Sequence, residues 1–253
     1  MPTVIAITNQ KGGVGKTTTS INLAYYLAKS GKRTLLVDFD PQGNATSGLG
    51  IDKQDIGLTM TDVMLEVHKM AEVIVDTDHK NLSLAPSTSH LANTEAELSQ
   101  AQRRFSRLKL AIDQLQAYDY IVIDCPPSLS LLTVNALIAS RYVLLPVQAE
   151  FYALEGLGQL LETMKLIRKN MNPTLDILGV LPTMMDTRTS LSRQVYDEIK
   201  KHFPGKVFDQ TIPRNIRLAE APSHGVPIGV YDPFSKGARA YKALTKEVIQ
   251  RVS

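Results

Sequence analysis

Tryptophan is absent, cysteine occurs once, at Cys125, and only 6% of the 253 residues are aromatic. A lone cysteine excludes an intramolecular disulfide and points to a reducing cytoplasm. No apolar run approaches the ~20 residues needed to span a bilayer. The apolar start VIAI is short and runs straight into a glycine loop, so no signal peptide is expected. Charge of one sign is also lacking: 28 basic residues stand against 25 acidic ones, for a net charge of +3. The isoelectric point of about 8.8 is mildly basic. Nucleic-acid binding would therefore need a local patch rather than overall charge. Internal repeats and low-complexity tracts are missing too. What is present is an ordinary globular composition, 43% apolar, with a mean hydropathy of -0.07. The chain is long enough for a sizeable core.

Short apolar runs alternate with helix-period segments. Strands are expected at 3–8, 34–39, 120–124, 142–147, 177–183 and 207–212. Helices are expected at 17–29, 92–115, 131–139, 154–170, 191–202 and 236–251. Strands that are apolar throughout and alternate with helices predict a three-layer α/β fold, a mostly parallel sheet with helices on both faces. No linker divides the chain, so one domain over 1–253 is expected. The glycine-rich, polar stretch 42–59 reads as a mobile loop.

The sequence NQKGGVGKTTTS, beginning at Asn9, nearly spells the phosphate-binding pattern G-x-x-x-x-G-K-[ST]. Gln10 stands where the first glycine belongs, and Lys11 is a second lysine. Gly12, Gly13 and Gly15 let the backbone turn its N–H groups inward, and the following helix adds its positive end. The expected nucleotide contacts are Lys11, Gly12, Gly13, Val14, Gly15, Lys16, Thr17 and Thr18. Lys16 reaches the outer phosphates, and the Thr17 hydroxyl is a ligand for Mg²⁺. A dinucleotide loop fits poorly, because its third glycine would fall on Thr18.

Three aspartates follow apolar runs: Asp38 and Asp40 in LLVDFDPQ, Asp124 in YIVIDCPP. Ligands of open α/β sheets bind at the carboxyl ends of the strands. Asp124 has the form of a Mg²⁺-organising carboxylate, acting directly or through a water. Asp40, also a candidate metal ligand, is the better candidate to position an attacking water. Asp38 could hold the metal's outer shell or orient Lys16. Cys125 reads as a small buried residue. His68, His79, His90, His202 and His224 have no metal-ligand spacing.

With these residues in hand, the chain resembles the deviant Walker-A P-loop ATPases, and within them the ParA/Soj partition proteins. The matching pieces are KGGVGKTT, VDFDPQGNAT, IDCPPSLSLLTVNA, YALEGL and IPRNIRLAEAPSHGVPIGVYDPFSKGARAY, in order over almost the whole chain. The resemblance implies a weak, Mg²⁺-dependent ATPase that forms an ATP-sandwiched homodimer. It implies sequence-independent binding to double-stranded DNA, stimulation by a ParB-like partner and a cytoplasmic, nucleoid-associated location. Lys11 becomes the signature lysine that reaches the other subunit's nucleotide. Pro213 and Asn215 would line the adenine, and Arg188 and Arg217 would contact DNA. Charge supports the role of Lys11. Two triphosphates brought face to face repel, and a charge pair at about 4 Å is worth about 4 kcal/mol at an effective dielectric near 20, before desolvation.

Further basic residues are Arg193, Lys200, Lys201, Lys206 and Arg214, with Lys236, Arg239, Lys242 and Lys246 on the terminal helix. Arg103, Arg104, Arg107 and Lys109 read as an exposed helix face. The related MinD proteins bind membranes through a C-terminal amphipathic helix. Here Ala238, Tyr241, Leu244, Val248 and Val252 fall at helical spacing, but this small apolar face is accounted for by docking on the sheet. A membrane partner is therefore not expected. A cargo-positioning relative remains a second reading.

Overall fold

The computed structural model describes residues 1–150, 157–186 and 188–253. The expected 154–170 helix begins outside the described residues, and so does most of YALEGL. In chain order the elements are β1 (Thr3–Ile7), α1 (Lys16–Lys29), β2 (Thr34–Asp38), α2 (Asn44–Gly48), α3 (Met60–Met64), α4 (Met70–Val73), β3 (Val75–Asp76) and β4 (Leu82–Ala85). Then come α5 (His90–Leu98), α6 (Arg107–Ile112), β5 (Tyr120–Asp124), α7 (Leu131–Ala139), β6 (Tyr142–Gln148), α8 (Leu157–Asn170), β7 (Asp176–Thr183) and α9 (Ser190–His202). The chain closes with α10 (Ile216–Glu220), a 3-10 turn (Ala221–His224), α11 (Ile228–Tyr231) and α12 (Lys236–Val252).

The strands form one seven-stranded sheet in the order β3-β4-β2-β5-β1-β6-β7. Only the β3–β4 pair is antiparallel. Side chains alternate across the pleat. Ile5 and Ile7 of β1 pack with Leu36, Val122 and Leu144 against α1 and α12. Val4 and Ala6 join Leu35, Val37, Ile121 and Ile123 on the opposite face, under Met60, Leu91, Leu108 and Leu132. Val143, Leu145 and Val147 continue the second face beneath Leu160, Met164 and Ile199. With both faces covered, the central strands must be apolar at every position, which is the pattern the sequence carries.

The topology places the site. From β1 the chain crosses over α1 to β2, and from adjacent β5 it crosses over α7 to β6 on the other face. The connections diverge at the carboxyl ends of β1 and β5, which is where open α/β sheets bind ligands.

Several local expectations need correction. The 92–115 segment is two helices, α5 and α6. The break lies where Arg103 adopts φ 56, and the Asn135 side chain donates to the Arg104 carbonyl at 2.7 Å. Stretch 42–59 is not all loop: it contains α2, whose Ala45 and Thr46 are fully buried. Segment 207–212 is not a sheet strand; it runs beside β7 through single bonds, Phe208 N–H to the Val180 carbonyl at 2.9 Å and Ile212 N–H to the Pro182 carbonyl at 2.9 Å. The short β3 and β4 had no sequence signal strong enough to be read. Helix α12 docks through Ala238, Tyr241, Leu244 and Val248, all buried. No helix among the described residues is long and apolar enough to cross a membrane.

Candidate nucleotide site

The loop between β1 and α1 is tied down from three sides. The Asn9 amide donates to the Pro146 carbonyl at 2.7 Å, and its oxygen accepts the Lys11 N–H at 3.0 Å. The Thr183 hydroxyl donates to the Val14 carbonyl at 2.9 Å. Val14 itself is buried and acts as the loop's apolar anchor. Gly13 (φ 73) and Gly15 (φ 88) hold left-handed backbone, which a side chain would strain. Gly15 also caps α1, so the unpaired N–H groups of the first helical turn face the loop's concavity. Gln10, at the position of the missing glycine, has a buried side-chain nitrogen with no partner.

The two lysines differ in environment. Lys16 is buried, 7% exposed, and its Nζ donates to the Lys11 carbonyl at 3.2 Å. Burial lowers its pKa, while Asp124 and Asp40 oppose that shift. The Lys11 side chain is 40% exposed and its Nζ lies 3.2 Å from Glu150 Oε2. Glu150 is in turn bonded by the Gln148 side chain. No spacing in the sequence announces Glu150, which lies 139 positions from Lys11.

Asp38 and Asp124 are register neighbours at the ends of β2 and β5. Asp124 is fully buried. Its Oδ1 accepts the Ser20 hydroxyl at 2.8 Å, and its Oδ2 has no partner. Burial pushes its carboxyl up to about 6, against the pull of the Ser20 hydrogen bond and of the nearby Thr17 hydroxyl. Asp38 is engaged differently. Its Oδ2 accepts both the N–H and the hydroxyl of Thr46 at 2.7 Å, and its Oδ1 accepts the Asp40 N–H at 3.3 Å. Burial, then the neighbouring Asp124, push its carboxyl up to about 8. Asp38 thus fastens α2 to the sheet. Asp40 is buried beside the loop, and its Oδ1 accepts the Gln42 N–H at 2.9 Å in a tight turn. Cys125 is fully buried, and burial raises its pKa.

A mainly apolar cavity of about 400 Å³ begins at Gly15 and Thr18 and continues between Thr183, Pro213, Asn215 and Tyr241. Pro213 and Asn215 both stand in its wall. The Asn215 side chain also caps α10, accepting the Arg217 N–H at 2.9 Å. A larger cavity, about 970 Å³, opens between Met1, Arg33, Tyr118 and Arg141 at the amino ends of the strands, away from the loop. Arg188 and Arg217 lie on the surface, each ion-paired: Arg188 with Asp186 at 2.7 Å and Arg217 with Glu220 at 2.9 Å.

The donor set suits a phosphate-bound Mg²⁺. Mg²⁺ keeps several waters and takes few protein ligands. The Thr17 hydroxyl at the first turn and the orphaned Asp124 Oδ2 are of the right type. Among the described residues no group of three His, Cys, Asp or Glu forms an all-protein metal cage.

A family profile described as an AAA domain matches residues 2–177. The chain is 57% identical to the sporulation initiation inhibitor protein Soj of Bacillus subtilis over 98% of both chains. It is 49% identical to the chromosome partitioning protein ParA of Myxococcus xanthus, over 98% of this chain and 88% of that one. A solved structure described as cobyrinic acid a,c-diamide synthase from Mycobacterium smegmatis, with bound ATP analogue and magnesium, superposes with a TM-score of 0.90. It is 37% identical and covers 100% of this chain and 96% of that one. The chain belongs to the ParA/Soj family of partition ATPases.

Proposed function

We propose that the chain is a nucleotide-driven DNA-segregation switch. With Mg²⁺ and ATP in the loop, two copies close face to face and the dimer holds duplex DNA without sequence preference. Slow hydrolysis, accelerated by a ParB-like partner, returns the chain to monomers and releases the DNA. The observation that carries this reading is the contrast between two lysines on one loop. Lys16 is buried under the cradle, whereas Lys11 is half-exposed and paired with the half-exposed Glu150.

The Mg²⁺–ATP pair supplies a terminal phosphoryl group and a strong centre of positive charge. Gly12, Gly13, Val14, Gly15, Thr17 and Thr18 hold the phosphates through backbone and hydroxyl groups. Lys16 counters charge on the outer phosphates from its own subunit, and Lys11 from the other. Thr17, Asp124 and Asp40 would hold the metal, Asp124 directly or through a water. Asp40 would orient the attacking water. Pro213 and Asn215 flank the base, and Arg188 and Arg217 hold DNA phosphates. One domain, 1–253, carries all of these roles, in the cytoplasm on the nucleoid.

The Mycobacterium smegmatis name suggests amide synthesis as another reading. Nucleophilic release of ammonia from an amide needs an accessible thiolate or its equivalent. The single thiol here is buried, with its pKa raised, which suits packing. The test of the switch is duplex binding with ATP, with ADP and without nucleotide, with molecular mass followed alongside. ATP-specific binding by a dimer is expected; equal binding in all three states contradicts the reading.

A further inference from the structure

The two arginines proposed to grip DNA share a feature that basic composition does not disclose: each is already occupied by a carboxylate. Arg188 Nε and Nη2 reach the two Asp186 oxygens at 2.9 and 2.7 Å. This is the two-pronged geometry that a guanidinium also offers a phosphodiester. The Arg188 N–H fixes the same carboxylate at 3.1 Å. On α10, Arg217 Nη1 donates to Glu220 Oε2 at 2.9 Å, and its Nε lies 3.7 Å from Asp232 Oδ2. Glu220 has a second donor: the Tyr231 hydroxyl donates to the same oxygen at 3.1 Å. The Tyr231 ring lies 6.0 Å from the guanidinium, and His224 stacks on that ring at 4.9 Å. Glu220 is therefore a placed group, not a wandering surface acid.

We propose that Asp186 and Glu220 are built-in phosphate mimics, so that the chain binds duplex DNA by exchanging carboxylate for phosphate at Arg188 and Arg217. The inference rests on the DNA-binding reading above. Both pairs are solvent-exposed; the Arg188 side chain is 87% exposed. Exposed pairs are weak, so the exchange is not blocked. It does leave a displaced anion beside the DNA, which lowers affinity below what the arginines alone would give. The hydrogen bonds from Arg188 hold the Asp186 carboxyl down to about 2, and those from Arg217 and Tyr231 lower Glu220. Both mimics therefore stay ionised near neutral pH. A grip weakened in this way lets go once the dimer dissolves, which a reversible switch requires. Arg217 and Glu220 also share α10 with Leu218 and Ala219, which line the proposed base cavity.

The test uses the full chain with ATP and a fluorescent duplex of arbitrary sequence. Glu220→Gln and Asp186→Asn are each expected to raise affinity about two- to fivefold, the equivalent of one exposed ion pair. Glu220→Gln added to Arg217→Ala should give no further gain. Glu162→Gln, which neutralises an acid paired to Lys165 on α8, should change nothing. Unchanged affinity in both single variants, while wild type binds and Arg217→Ala weakens it, overturns the proposal. An equal gain from Glu162→Gln also overturns it, because net charge would then be the cause. Failure of the wild type itself to bind duplex with ATP rejects the DNA reading and this inference with it. Asp186 lies between β7 and α9 and Glu220 on α10, so a folding defect in one variant leaves the other decisive.

Discussion

At the scale of single residues, the function turns on which charges are held fast and which are loose. Lys16 is fixed by burial. Among the described residues the Lys11 side chain is held by an ion pair whose members are 40% and 47% exposed, and such pairs contribute about 0–1 kcal/mol. In the proposed dimer, contact with a triphosphate in a water-poor interface is worth more, so Lys11 would exchange Glu150 for it. Asp40 has the complementary position, buried beside the loop with one oxygen tied to Gln42. Asp40→Ala is expected to bind ATP and dimerise yet slow hydrolysis by about 10²-fold or more, the usual contribution of a positioned acid–base group. Single-turnover phosphate release beside a mass measurement checks this; wild-type turnover by the variant rejects the role given to Asp40. Lys16, Thr17 and Gly15 were legible because their chemistry is packed into one short segment. Glu150 and Thr46 were not: their partners, Lys11 and Asp38, meet them only through the sheet and the docking of α2.

At the scale of elements, the long apolar strands β1, β2, β5, β6 and β7 were readable, and so were α1, α7, α9 and α12. Their period matches their burial, because each packs one continuous face. Failures came where tertiary contacts overrule local pattern. The break between α5 and α6 depends on Asn135, which holds the intervening backbone from α7. Strands β3 and β4 are too short to carry a period. The wall of the proposed base cavity is likewise a packing product, set by how closely α10 approaches α12. A Cβ on Gly237 would lie 2.7 Å from Leu218 Cγ. Gly237→Ala should therefore push α10 outward, cost about 1–3 kcal/mol by overpacking and weaken nucleotide binding. Thermal unfolding and titration with a fluorescent ATP analogue measure the two effects. A variant with wild-type melting temperature and affinity would show that α10 does not set the cavity.

At the scale of the whole molecule, the sheet brings the phosphate loop, Asp124 and the β2 carboxylates to one end, and it leaves the proposed DNA arginines on elements that follow β7. A net charge of +3 cannot by itself hold a chain on DNA. In the proposed switch, two copies joined through nucleotide would double the basic surface and bind as one bivalent unit, which makes dimerisation a gain in avidity. The central claim is that Lys11 converts bound ATP into a dimer. Sedimentation of wild type and Lys11→Ala, each with ATP and with ADP, tests it most directly. Wild type should double its mass with ATP alone, and Lys11→Ala should bind ATP yet remain a monomer. An ATP-dependent dimer of Lys11→Ala would contradict the account.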